Sequence, residues 1–93
     1  MRLYWARNDG MTGHVFLGPF EIELLGKEML VQGMTGAFAL EELRVDDLIT
    51  ADDIEAALEH ASAEPISLGD RTLWTDWLAF LAGAARNGGV LVR

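Results

Sequence analysis

Between Asp70 and Asn87 the chain carries Leu73, Trp74, Trp77, Leu78, Phe80, Leu81, Ala84 and Ala85, an apolar series that covers most of a helix's circumference. A helix of that kind has to be wrapped by the rest of the fold, so it is expected at the centre. Its ends are marked in the sequence. Asp70 stands where an N-cap accepts from the first free amides, and Asn87-Gly88-Gly89 supplies a left-handed stop. Val90-Leu91-Val92 is too short for a free helix and reads as a last strand returning to a sheet. The 93 residues include no cysteine, so neither disulfides nor thiolate metal sites can reinforce the fold. The core built around this helix therefore carries the stability, helped by aromatic rings that each bury ~150–250 Å². The length fits one domain, residues 1–93.

The first third reads as β-structure. Leu3-Tyr4-Trp5-Ala6 is a strand closed by the turn-rich Asn8-Asp9-Gly10, and His14-Val15-Phe16-Leu17 is a second, ended by Gly18-Pro19. Phe20 to Leu25 alternates, and Gly26-Lys27 then leads into Glu28 to Gln32, which reads as a hairpin with a type II′ turn. That register sets Leu24 opposite Met29, Ile22 opposite Val31 and Phe20 opposite Gly33, giving one apolar face. Residues 37–48 leave two readings open: a strand followed by a helical turn, or a helix starting near Leu40.

Thr50-Ala-Asp-Asp53 has the form of a capping box, with Ile49 and Ile54 placed as a hydrophobic staple. A helix is expected over 51–63, burying Ile54, Ala57, Leu58 and Ala61 and stopping before Pro65. The fold class that follows is α+β: a mostly antiparallel sheet of four to five strands, two helices packed on one face, and a final strand after the second helix.

The charge is uneven. Residues 41–64 hold nine acids (Glu41, Glu42, Asp46, Asp47, Asp52, Asp53, Glu55, Glu59, Glu64) and one base, Arg44, which accounts for the whole net charge of −8. Outside that stretch six acids and six bases cancel. A field of one sign repels nucleic acid and membrane surfaces and attracts basic partners. The competing explanation is a solvated face that aids solubility. Asp52 and Asp53 already serve the helix start, so Glu41, Glu42, Asp46, Asp47, Glu55 and Glu59 are the candidate partner-binding residues.

Catalytic constellations are missing, and no enzyme is expected. The serines, Ser62 and Ser67, stand in no G-x-S-x-G turn. His60 is adjacent to Glu59 on a helix, so the two side chains diverge. The acids lack the spacing of an EF-hand loop, and neither a metal nor a cofactor is expected. The repeated Gly-Met-Thr-Gly (residues 10–13 and 33–36) lacks the lysine and strand–helix context of a phosphate loop and reads as two turns. The seven basic residues form no stripe that could neutralise phosphates. No run approaches the ~18–20 apolar residues of a membrane span. Met1 to Arg7 has no long apolar stretch after its basic residue, so a cytoplasmic protein is expected.

The second half resembles a pattern found among bacterial toxin-immunity proteins, small cytoplasmic partners that are commonly α+β. The resemblance rests on Thr50-Ala-Asp-Asp53, on Trp74-Thr-Asp-Trp77-Leu-Ala-Phe80-Leu81, and on the closing Asn87-Gly-Gly-Val-Leu-Val92. It covers roughly the last half of the chain and brings no shared catalytic residues. It implies an inhibitor whose acidic face covers the basic active site of a toxin, often a nuclease, in a 1:1 complex. Two alternatives share the composition. One is a phage-encoded inhibitor of a host nucleic-acid-binding defence complex, of the anti-CRISPR kind. The other is a small structural or regulatory subunit, which would expose apolar surface and oligomerise.

Overall fold

The computed structural model describes residues 2–6 and 13–93. Its elements are β1 (Arg2–Ala6), β2 (His14–Leu17), α1 (Pro19–Val31), 3₁₀ turns at Met34–Gly36 and Leu40–Glu42, β3 (Leu48–Ile49), α2 (Ala51–Leu58), α3 (Arg71–Arg86) and β4 (Val90–Val92). The strands lie in the order β2-β1-β4-β3, and every pairing is antiparallel. Val90 and Val92 are fully buried while Leu91 between them is partly exposed, the period-2 signature of a sheet with one face on the core. In β2, Leu17 points inward, and Phe16 is exposed with the His14 ring edge-on at 5.3 Å.

The class is α+β, but the expected architecture is corrected. Residues 20–32 form no hairpin: they lie in α1 and its C-cap, and the pairings expected across Gly26-Lys27 do not exist. Among the described residues there are three α-helices and two 3₁₀ turns in place of the two helices expected, and the sheet consists of four short strands, none of them from residues 20–32. The physical reason lies at the start of α1. Gly18-Pro19 begins a helix where it was expected to end a strand: Pro19 takes the first helical position, where its missing N–H costs nothing. Glu21 reaches back to accept from the Gly18 amide at 3.0 Å. Glu, Leu, Lys and Met then fill the segment with good helix formers. Leu25, Glu28 and Met29 are all fully buried at the i, i+3, i+4 spacing of one helix face, whereas the hairpin register would set Leu25 and Met29 on opposite faces.

The later elements follow their local signals. Thr50 Oγ1 accepts from the Asp53 amide at 3.2 Å, and Ile49 and Ile54 on either side of that cap are buried. Helix α2 ends at Leu58, short of the expected 63. The chain leaves the helix because Ser62 is captured from two sides: its amide donates to Gln32 Oε1, and its carbonyl accepts from Trp74 Nε1 at 2.9 Å. Asp70 caps α3 by accepting from the Leu73 amide at 3.0 Å. Trp74, Trp77, Leu81 and Ala84 are the buried face of α3, and Phe80 stacks on Trp77 at 5.7 Å. Thr75, Asp76 and Ala79 are exposed, so α3 is wrapped on one side only. Residues 37–48 hold a 3₁₀ turn, a loop and the start of β3. The turn expected at 8–10, and all of the first Gly-Met-Thr-Gly except Gly13, lie outside the described residues.

The return from α3 to β4 is the tightest point of the backbone. Gly88 and Gly89 have φ of 91° and 106°, and the Gly89 amide donates to Ala84 O at 2.8 Å. A Cβ on Gly89 would stand 2.1 Å from the Ile49 carbonyl oxygen, part of the strand that β4 pairs with. Gly89→Ala is therefore expected to cost more than about 3 kcal/mol in denaturant melts, since it adds a backbone clash to the left-handed strain. Gly33→Ala, at φ 79° with nothing within 4 Å of an added Cβ, should cost only the strain, about 1–2 kcal/mol. Equal losses for the two variants would show that the contact with β3 does not matter.

Candidate binding surface and a buried carboxylate

All six acids singled out in the sequence are exposed, but they fall on three separate elements. Glu41 and Glu42 belong to the second 3₁₀ turn. Asp46 and Asp47 lie in the loop before β3, and Glu55 lies in α2 with Glu59 as its C-cap. Glu55 and Glu59 are four apart, so they share one face.

The loop acids have work to do in the backbone. Asp46 has φ 73°, a left-handed conformation that Asp tolerates better than most residues. Its amide donates to Val92 O at 2.8 Å, and its carboxylate lies 3.9 Å from Arg93. Asp47 accepts from the Arg44 amide at 2.8 Å through Oδ2. By contrast, Glu42, Glu55 and Glu59 have no side-chain hydrogen bond or ion pair among the described residues. Of the six, these three are the acids most free to meet a partner.

A shallow groove runs between α1 and the 3₁₀ turn Leu40–Glu42, and sequence reasoning missed it because α1 was read as a hairpin. Ile22, Gly26 and Leu30 recur every four residues along one flank of α1, and Leu40 and Glu41 form the opposite wall. Leu30 is 64% exposed although it is apolar. Gly26 sits at the middle of the helix, where glycine costs roughly 1 kcal/mol against alanine. The glycine is explained by Glu41, whose side chain lies across it. A Cβ at Gly26 would come within 2.8 Å of Glu41 Cγ and 3.1 Å of its Oε1.

Glu28 is 0% exposed and forms no ion pair among the described residues. It stands near the C-terminal end of α1, where the helix dipole disfavours a carboxylate. Three successive amides, those of Ile66, Ser67 and Leu68, close on it at 2.7–2.8 Å and form an anion-binding nest. The Ser67 hydroxyl donates at 2.8 Å and Gln32 Nε2, one turn along the helix, at 2.7 Å. Burial pushes this carboxyl up, and the hydrogen bonds from Ile66, Gln32 and Ser67 more than reverse it, bringing it from the ordinary 4.5 down to about 2. With both oxygens occupied by donors, Glu28 is a fixed acceptor and not an acid–base group. Nothing local in the sequence signals this role, because the donors are distant backbone amides and uncharged side chains.

Among the described residues no group of three His, Asp or Glu side chains stands close enough to hold a metal ion, and no helix is long and apolar enough to cross a membrane. Comparison with family models, with curated proteins and with solved structures gives no match.

Glu28→Gln turns one acceptor oxygen into an NH₂ group that faces N–H donors, so a loss of about 2–4 kcal/mol is expected in denaturant melts at neutral pH. The pH dependence has a definite sign. The folded-state value lies below the unfolded one, so the contribution is full above about pH 5 and disappears as pH falls towards 2; a shift of this size is worth on the order of 3 kcal/mol. The Gln variant should lack that part of the acid sensitivity. Identical melts for the two proteins at pH 7 would remove Glu28 from this role.

Proposed function

We propose that this chain is a small acidic inhibitor that works by binding, in the manner of an immunity protein. It would neutralise a cognate bacterial toxin in the cytoplasm by covering the toxin's basic active site in a 1:1 complex. The observation that carries this reading is the exposure of all six candidate acids within the segment that holds the entire net charge. Charge that served only solubility would have no reason to gather in one quarter of the chain. Electrostatic attraction to a basic surface acts first on the encounter rate, and it is screened over ~8 Å at physiological salt. The resemblance of the second half to toxin-immunity proteins supports the same reading.

The test starts with affinity capture from the native strain, mass identification of what co-purifies, and an assay of whether the captured protein loses its activity in the complex. Association kinetics then compare the wild type with a Glu42→Lys, Glu55→Lys, Glu59→Lys triple variant. Asp46 and Asp47 are left alone because the loop uses them. Association should slow about tenfold or more at low salt, with dissociation changing less. A folded triple variant that associates at the wild-type rate would make these acids solubility charge.

A further inference from the structure

The groove on α1 adds to that reading a seat for one part of the partner. Two hollows of about 320 and 430 Å³ lie along it, the first between Gly26–Leu30 and the 3₁₀ turn, the second between Pro19–Ile22 and the same turn. They meet at Leu40 and Glu41. Ile22, Leu30 and Leu40 supply aliphatic surface and the rim is acidic, with Glu23, Glu41 and Glu42 against Lys27 among the described residues. From Pro19 to Leu30 the seat is about 16 Å long at 1.5 Å per residue, or three turns of a docked helix. Glu41 is the feature that gives it chemical direction. The Gly26 notch lets its side chain lie across the groove, which puts a carboxylate beside that aliphatic surface.

We propose that this groove seats an amphipathic, arginine-bearing segment of the basic partner, with an aliphatic side chain in the hollow beside Leu30 and a guanidinium on the Glu41 carboxylate. The proposal rests on the partner being basic, as read above, and adds where and how one segment of it is held. Helix-in-groove recognition takes its affinity from buried aliphatic anchors, and arginine pairs with a carboxylate through two parallel N–H bonds. An acidic or purely apolar segment would be rejected by the rim.

The probe is a fluorescein-labelled helical peptide of about three to four turns, with leucine on one face and arginine on the other. Two control peptides accompany it, one with serine for leucine and one with glutamate for arginine. Binding is measured by anisotropy on the full chain at low salt and mapped by amide chemical shifts. The arginine–leucine peptide should bind about tenfold tighter than the arginine–serine one, and the glutamate peptide should not bind. Shifts should centre on Ile22, Gly26, Leu30 and Glu41. Leu30→Ser and Glu41→Gln should each weaken binding about tenfold. Both residues are exposed, so both variants should melt like the wild type. Gly26→Ala is a second probe, since it displaces Glu41 without removing a charge.

If both arginine peptides bind equally, and neither groove variant matters, the groove is not a seat, while the broader acidic-surface reading stands. If no basic peptide binds even at low salt, both readings fall. A dimer in sedimentation that Leu30→Ser breaks would overturn the proposal by making the groove an interface between two copies of this chain.

Discussion

The carboxylate of Glu28 in its nest of amides is the interaction on which the arrangement of the helices depends. The residues joining α2 to α3, from 59 to 70, have no regular structure. A connection of that length must satisfy its backbone elsewhere or stay in water. Here it turns to α1. Glu28 takes the amides of Ile66, Ser67 and Leu68, while Gln32 takes the Ser62 amide and donates to the Glu64 carbonyl at 3.3 Å. Trp74 then ties the Ser62 carbonyl to α3. Two side chains one helical turn apart therefore organise the whole connection. Removing Glu28 would leave the buried Leu68 amide and the partly buried Ile66 and Ser67 donors without this partner, a larger cost than that of an ordinary surface bond. The exposed pair between Arg71 and Glu64 adds little beside it.

That anchoring has a consequence on the other side of α1. A helix held on its Glu28 face by the connection, and on its Leu25–Met29 face by the core, has little freedom to roll. Its remaining flank, Ile22-Gly26-Leu30, is thus presented at a fixed angle to the 3₁₀ turn at Leu40–Glu42, where Leu40 is itself 1% exposed. A groove between rigid walls loses less entropy on binding than one that must order first. The polar network on one side of the helix and the fixed groove on the other are in this sense one device.

What could be read from the sequence, and what could not, divides along the range of the signals. The caps at Thr50 and Asp70 and the glycine stop before β4 are written within four residues of where they act, and they are legible. Helix α3 is legible as a helix, but the expectation that it is wrapped nearly all round fails, since Thr75, Asp76 and Ala79 are exposed. Residues 20–32 went wrong because Phe20-Glu-Ile-Glu-Leu alternates over a window too short to separate period 2 from period 3.6, and Gly26-Lys27 looks like a hairpin turn. The glycine is there for Glu41, fifteen positions away in the chain and adjacent only in the fold. Glu28 was hidden for the same reason, since its partners lie about forty residues on and none of them is charged. A buried acid answered by amides leaves no complementary residue in the sequence to find. The groove inherited both errors, because its one long wall is α1.

The acids themselves were visible, but the division of labour among them follows from side-chain length. An Asp carboxylate is one methylene closer to its own backbone than a Glu carboxylate, and short side chains compete for neighbouring amides. Asp47 and Asp70 do so here, each accepting from an amide three residues away, and Asp46 takes up a left-handed turn. Glu42, Glu55 and Glu59 are mounted on helical turns that already satisfy their own amides, so their carboxylates extend into water with no local claim on them. In a segment whose net charge equals that of the whole chain, the aspartates shape the backbone and the glutamates are left to supply the exposed field. Different reversals therefore carry different risks: changing an aspartate alters the loop and the charge together, whereas changing one of these glutamates alters the charge alone.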